Sequence, residues 1–437
     1  MLRKIFIYLI IFIPFACISY AQQVKIYTLQ EAISTAYRNN SELINARLDK
    51  LKAEQKVKEV YNENLIPTIT LNSNYSRAFK KQVFDIFGQR YEIGTDNALS
   101  NTLSITEPIP VLGTPVFQGI NIARYYENLQ TENVASAEAK ITGDVKTAYY
   151  NVLFLKEVLN NEKANLQNAE ENLSVVQRRF NNGTITEFDL LRAKVTVENI
   201  KPQILEAESN LIISRKSLKN SIGNKDDIAI DVTGILSYDS TEVFGNPDEL
   251  INRIAANNVA VRQLNIGRNI NSELVDIDRA NYLPKLFVFG QYNLMSAEDD
   301  GRNIFNYRYF SVVNAGIGLS WNLNLFRTTY KKNQSEIDVK KSDESIADTK
   351  QKLKLLSQSV LLKIDEARKR ILATKETVRL AERGFELAEI SLKSGVINQI
   401  DVIDAGLRLS QSRLSYFSAI LEYLLAKTEL EVLLEKK

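Results

Sequence analysis

The sequence predicts a mainly α-helical chain built by internal duplication, with a minority of β-strands set between the helices. Three observations carry that prediction. Two stretches, 180–193 (FNNGTITEFDLLRA) and 392–405 (LKSGVINQIDVIDA), obey one rule: a glycine, an aspartate six residues on and an alanine four further, at a constant shift of 212. Apolar residues recur with a 3.5 period on both sides of each glycine, the signature of coiled-coil packing. Each half also contains two segments that alternate with period two, the signature of strands with one apolar face.

Taken in order, residues 1–21 read as a targeting segment rather than as structure. Arg3 and Lys4 precede an apolar run over 5–15, and Ser19-Tyr20-Ala21 is a small-x-small cleavage site, so Gln22 is expected to open the mature chain. The run is too short to span a bilayer comfortably as a helix. Cys17 could mark a lipoprotein anchor, but Pro14 stands where such signals carry an aliphatic residue, so lipidation is not expected.

The mature chain then has neither cysteine nor histidine. Disulfides, thiol nucleophiles, serine–histidine triads and the usual zinc sites fall away. No glycine loop with a phosphate-binding lysine occurs, so neither a cofactor nor catalysis is expected. Lys+Arg is 55 against 53 Asp+Glu, which leaves no electrostatic footprint for nucleic acid.

The duplication reaches beyond the glycine rule. Asn39-Asn40 matches Asn257-Asn258, and Leu65-Ile66-Pro67 matches Tyr282-Leu283-Pro284. The chain is therefore divided into a first repeat, 22–221, a linker rich in turn formers, 222–248, and a second repeat, 249–437. Each repeat opens with a helix, 29–62 and 249–281, that ends ahead of a proline.

Strands follow at 68–79, 99–106, 286–294 and 311–322. In the first, Ile69, Leu71, Tyr75 and Phe79 oppose Thr68, Thr70, Asn72 and Asn74. In the last, Val313, Ala315, Ile317, Leu319 and Trp321 oppose Asn314, Gly316, Gly318, Ser320 and Asn322. A soluble sheet with one packed face would alternate too. The length of about ten residues, the Ser/Thr/Asn/Gly composition of the polar face and the aromatics near the strand ends (Tyr75, Phe79, Tyr292, Tyr309, Trp321) favour a membrane barrel. The connections 80–98 and 295–310 read as long polar loops.

The long helices carry the seams. In the first repeat the seam is Ile141, Val145, Ala148, Val152, Leu155, Leu159, Glu162, Leu166, Ala169, Leu173, Val176 and Phe180, and only Glu162 breaks it. After the glycine it resumes through Leu190, Ala193, Val197, Ile200, Ile204, Ala207, Leu211, Ser214 and Leu218. The second repeat runs in phase, from Leu353 through Ser357, Val360 and Ile364 to Leu392, then from Val402 and Ala405 to Leu433. The rising helices, 117–180 and 327–392, would each be on the order of 95 Å long. Pro202 is expected to bend or break a descending helix.

Leu29-Gln30-Glu31-Ala32-Ile33 through Asn39-Asn40, Leu65-Ile66-Pro67, the two turns, the stretch 204–223 and the closing helix 419–434 together resemble the outer membrane efflux protein family, the TolC-like channels of Gram-negative bacteria. The resemblance covers nearly the whole mature chain. It implies a homotrimer in outer-membrane lipid, with four transmembrane strands per protomer completing a 12-stranded barrel and the long helices forming a periplasmic α-barrel. It implies an equatorial belt, to which 224–248 and the C-terminal residues would contribute. It also implies a periplasmic adaptor docked at the tips and an inner-membrane transporter behind it. The docking residues would be Gly183, Thr184, Ile185, Thr186 and Asp189 in the first turn and Gly395, Val396, Ile397 and Asn398 in the second.

In that family an acidic constriction lies near the second turn, and the matching residues are Asp401 and Asp404. A spacing of three puts both on one helix face. Asp401 reads equally as a helix cap after Asn398 or a solvent-facing residue. Asp189 lacks a second acid, because Arg192 stands where Asp404 does. Leu392 and Ile397 replace the tyrosine and arginine of the archetype's closed-tip latch, so that latch lacks its residues here. The function expected is a passive export duct of a tripartite efflux or type I secretion system. The alternatives are a periplasmic coiled-coil adaptor, which would carry one hairpin rather than two, and a structural envelope protein, which would need no alternating strands.

Overall fold

The computed structural model describes residues 24–435. The targeting segment 1–21, Cys17 and Gln22 lie outside the described residues. The order is β1 (Lys25–Tyr27), α1 (Leu29–Asn39), α2 (Ser41–Leu65), β2 (Thr68–Arg77), β3 (Gln82–Ile86), β4 (Gln89–Ile93), β5 (Asn97–Leu112), α3 (Val116–Asn181) and α4 (Glu187–Ser221). Then come β6 (Ile230–Val232), α5 (Pro247–Asn257), α6 (Val259–Ala280), β7 (Lys285–Glu298), β8 (Phe310–Ser320), α7 (Leu325–Lys393) and α8 (Gln399–Leu433).

Two compact units share the chain. One gathers Asp144–Tyr238 and Ala367–Leu425 with the described part of Met1–Asn40; the other gathers Ser41–Gly143, Asp239–Glu366 and the described part of Ala426–Lys437. Each draws on both sequence repeats, because the long helices α3 and α7 contribute to both units.

The opening helix of each repeat, expected as one, is two. Asn40 and Asn258 take extended backbone, with ψ 124° and 142°, and split α1 from α2 and α5 from α6. The reason is a tie that a linear pattern does not show. The Asn40 side chain donates to the carbonyl of Ser221, the last residue of α4, at 3.1 Å. The Asn258 side chain donates to the carbonyl of Leu433, the last residue of α8, at 3.1 Å. In both repeats an asparagine leaves its helix to satisfy a helix C-terminus that has no intrahelical donor.

Pro202 does not break α4, which runs through it from Glu187 to Ser221. Its ring is exposed, and the seam residues on either side, Val197, Ile200, Ala207 and Leu211, are all buried. Packing on both flanks outweighs the one lost backbone bond.

The seams are the cores of both hairpins. Val145, Val152 and Val176 of α3, Leu190, Val197 and Leu218 of α4, Val360, Ile364 and Ile371 of α7, and Val402, Leu409 and Leu430 of α8 are each 6% exposed or less. Salt links such as Lys163–Glu208 (3.2 Å), Arg370–Glu422 (2.7 Å) and Arg413–Glu382 (2.9 Å) flank them.

In the first unit β1 pairs in parallel with β6, so the linker 222–248 supplies a strand as well as turns. Asp231 of β6 receives Lys156 at 3.1 Å and Arg215 at 3.0 Å, which joins the small sheet to α3 and α4. The Tyr149 hydroxyl is shared between the carbonyls of Tyr27, at the end of β1, and Thr233, just past β6.

The sheet of the second unit has the order β2-β5-β7-β8, antiparallel throughout. Two of the strands are longer than the alternation alone suggested, 16 residues for β5 and 14 for β7, while β2 and β8 end at Arg77 and Ser320, short of the expected 79 and 322. The connection 80–98 is not a plain loop: β3 and β4 form a hairpin whose turn, Phe87-Gly88, has φ of 54° and 78°. Two consecutive left-handed residues match the twist of a two-residue hairpin.

Glu162, the one break in the first seam, is 8% exposed, and its Oε2 has no hydrogen-bond partner. Burial pushes its carboxyl above the ordinary value, against smaller opposing effects of hydrogen bonds from Asn165 and Asn161. A raised folded value means that the native state holds the proton more tightly than the unfolded one. Stability therefore falls as pH rises from the ordinary carboxylate range through the raised one. Replacing Glu162 by leucine should raise stability by roughly 1–3 kcal/mol in mildly alkaline solution and by less in acid. Thermal melts of both proteins across pH test this; a gain that is constant with pH would contradict it.

Candidate functional site

The two turns of the first unit are built identically. At the end of α3 the Gly183 N–H reaches Phe180 (2.9 Å) and the Thr184 N–H reaches Arg179 (3.0 Å); at the end of α7 the Gly395 N–H reaches Leu392 (3.1 Å) and the Val396 N–H reaches Ser391 (2.9 Å). This is the paired-bond helix ending that needs a left-handed residue. Gly183 and Gly395 supply it at φ 70° and 76°. Nothing lies within 4 Å of where either Cβ would sit, so backbone conformation, not space, requires glycine there.

The next helix starts with a cap. Thr186 accepts the Asp189 N–H at 3.2 Å and donates its hydroxyl to Asp189 Oδ2 at 2.7 Å. The hydrogen bonds from the Thr186 hydroxyl and N–H hold the Asp189 carboxyl below its usual range. Asp401 occupies the equivalent place and accepts the Asn398 N–H at 3.0 Å. Ile185 packs on the apolar cluster Val176, Leu190 and Ala193, which closes the first hairpin from inside. Thr184, Val396 and Ile397 complete the turns between these caps, and Val396 is 77% exposed.

Asp401 and Asp404 stand one turn apart on α8, both exposed, beside a groove of about 740 Å³ shared with Thr377, Gly384, Phe385 and Ser412. The structure thus brings the two carboxylates together on one face. It also gives each a local partner that the sequence reading set out incompletely: Asp401 caps its helix, and Asp404 pairs with Arg408 at 2.9 Å. Arg408 lies four residues on, a spacing that could have flagged it. Among the described residues, no group of three or more Asp, Glu, His or Cys side chains is placed to hold a metal ion.

In the second unit, the register brings the apolar rows of four strands onto one face. Leu71 pairs with Leu103, Leu103 with Tyr292 and Tyr292 with Val313; in a second row Glu107 pairs with Val288 and Val288 with Ile317. Leu71, Val313 and Ile317 are 69%, 73% and 74% exposed. A face this apolar and this open suits lipid. Among the polar residues on it, Ser73 and Asn101 oppose each other and share a hydrogen bond of 2.5 Å.

The opposite face carries Thr70–Ser104 (2.6 Å) and Thr102–Asn293 (2.8 Å) hydrogen bonds. It also carries Phe287, whose ring lies over Gly318 so closely that a Cβ there would meet it at 2.2 Å. No described helix is long and apolar enough to cross a membrane. The loops beyond the strands are clamped by Lys81–Asp299 (2.6 Å) and Arg77–Asp300 (2.6 Å).

The outer membrane efflux protein profile matches residues 32–224 and 250–435, two matches that follow the duplication. The chain belongs to that family: it is an outer-membrane efflux channel that reaches into the periplasm. It is 25% identical to the cobalt-zinc-cadmium resistance protein CzcC of Cupriavidus metallidurans, over 77% of each chain. It is 23% identical to the outer membrane protein TolC of Escherichia coli over 44% of this chain, a match that spans 39% of TolC. Its fold is also that of the Campylobacter jejuni CmeC outer membrane channel, with a TM-score of 0.76, 16% identity and coverage of 93% of this chain and 85% of that one.

An arginine at Leu103 or Ile317, on the lipid face, should destabilise the assembled protein by roughly 2–4 kcal/mol near the bilayer midplane. At Asn72 or Asn314, on the opposite face, the effect should be far smaller. Folding titrations into vesicles measure this, and equal costs on both faces would contradict the assignment of the faces.

Proposed function

We propose that the chain works as a homotrimeric, passive duct. Each protomer gives four strands to one closed barrel, and its long helices line the periplasmic passage. The observation that carries this reading is the four-stranded sheet with an apolar outer face and two edges, β2 and β8, each paired on one side only. Lipid offers those edges no hydrogen bonds, so copies of the chain must complete the barrel. Heat-resistant trimers from detergent-solubilised outer membrane are expected. A functional monomer in mild detergent would overturn the reading.

The turns at Gly183 and Gly395 are proposed to meet a periplasmic adaptor, itself bound to an inner-membrane transporter that selects the cargo. Exposed caps between rigid hairpins, with Val396 outward, support that role. Asp401 and Asp404 from three protomers are proposed to form the narrow part of the passage. Arg408 offsets part of the Asp404 charge, so Asp401 should contribute more to selectivity. In a planar bilayer the native channel should prefer cations. The double change Asp401→Ala with Asp404→Ala should weaken that preference and any block by trivalent cations, while trimers persist because the buried seam runs through Val402 and Leu409. Unchanged selectivity would place the constriction elsewhere.

A further inference from the structure

Glu162 of α3 and Ala207 of α4, both seam residues, line a groove of about 330 Å³ that α8 completes with Ser410. The alanine leaves room that a larger seam residue would fill. Glu162 is 8% exposed, and its Oε2 meets no donor. A buried carboxylate oxygen is costly to the fold until a proton or a cation joins it. The walls offer neither a lysine nor an arginine. They offer oxygen instead, from the Glu206 carboxylate and the side-chain amides of Asn165, Gln203 and Asn210. Glu206 is exposed where Glu162 is not, so the set grades from solvent inward. Asn161 donates to Ser410 Oγ at 2.7 Å, and both are buried, which fixes α8 beside the groove.

The duplication gives an internal comparison. The shift of 212 carries Glu162 onto Thr374 and Ala207 onto Ala419. Thr374 is polar too, but its hydroxyl bonds back to the carbonyl of Arg370 at 2.8 Å and needs nothing further. The same seam position is satisfied locally in the second hairpin and left short of a partner in the first. Glu162 precedes Gly183 by 21 residues, on the order of 30 Å of helix, so the groove is remote from the glycine turns.

We propose that this groove is a binding site for a hard divalent cation of calcium's size, held by Glu162 and Glu206 from adjacent helices and completed by amide oxygens and water. Charge and donor type both select that ion. Two carboxylates balance one divalent charge. No imidazole or thiolate stands in the walls, which disfavours zinc and copper. Calcium accepts six to eight oxygens of mixed kind in irregular geometry, whereas magnesium demands a tight octahedron and gives up water reluctantly. Without the ion the Glu162 carboxylate destabilises the seam; with it, the same group is a ligand. All the ligands belong to one chain, so the site depends on neither the trimer nor the duct reading.

The test is equilibrium dialysis of radioactive Ca²⁺ against the full-length protein, purified in detergent and stripped with a chelator. A saturable site is expected with a Kd of about 1 mM or tighter, the range of extracellular calcium modules. Glu162→Gln keeps the shape, removes the charge and should weaken binding at least about tenfold. Glu206→Gln should weaken it in the same direction. The double change Asp401→Ala with Asp404→Ala should retain this ion, because those carboxylates border a different groove. Mg²⁺ should compete at least about tenfold less well than Ca²⁺. Binding should also weaken in acid, because burial raises the range over which Glu162 takes up its proton; of the other groove residues only Glu206 titrates, and α8 presents none. Circular dichroism checks that each variant folds, and if Glu162→Gln does not, the exposed Glu206→Gln decides. No saturable binding by the native protein, binding unchanged in Glu162→Gln, or loss of the ion in the Asp401→Ala, Asp404→Ala protein each overturns the site. Mg²⁺ binding as tight as Ca²⁺ overturns its calcium size.

Discussion

A strand edge in hydrocarbon has nowhere to send its N–H and C=O groups. That constraint organises this molecule more than any single contact. Four strands make too few pairs to close, so β2 and β8 each need a neighbour that the same chain does not supply. The side chains agree with the backbone. One face of the sheet is mostly apolar, while the other is Ser, Thr and Asn with aromatic rings laid over glycine. On the apolar face the opposed polar pair Ser73 and Asn101 satisfies itself.

The long helices solve a different problem with the same economy. A 3.5-residue period keeps one stripe buried along a helix of 66 or 69 residues without a globular core. The exceptions to the stripe are informative because burial makes them costly. Ser357 is fully buried and bonds back to its own helix at Leu353, at 2.7 Å. Glu162 has no such remedy for one of its oxygens.

Duplication sets the frame, but not every residue follows it. The turns, caps and glycines coincide under the repeat. The charges do not: Arg179 faces Ser391 under the shift, and Arg192 faces Asp404.

Much of this was legible in the chain itself, because periodicity is local. The seams from Ile141 to Leu218 and from Leu353 to Leu433, the two glycine turns, the four alternating strands and their apolar faces follow from spacing alone, since one side-chain position dictates the next by geometry. Only the tertiary structure decided what depends on partners far along the chain. It split the opening helices at Asn40 and Asn258, because each side chain caps a helix end more than 170 residues away. It carried α4 through Pro202, paired β1 with β6, and drew the Arg179 guanidinium to a main-chain carbonyl of the other hairpin. A main-chain acceptor leaves no trace in residue identity, and a contact between distant segments costs chain entropy that no local pattern records. The sequence therefore determined the elements and their faces, and folding decided where those faces and ends meet.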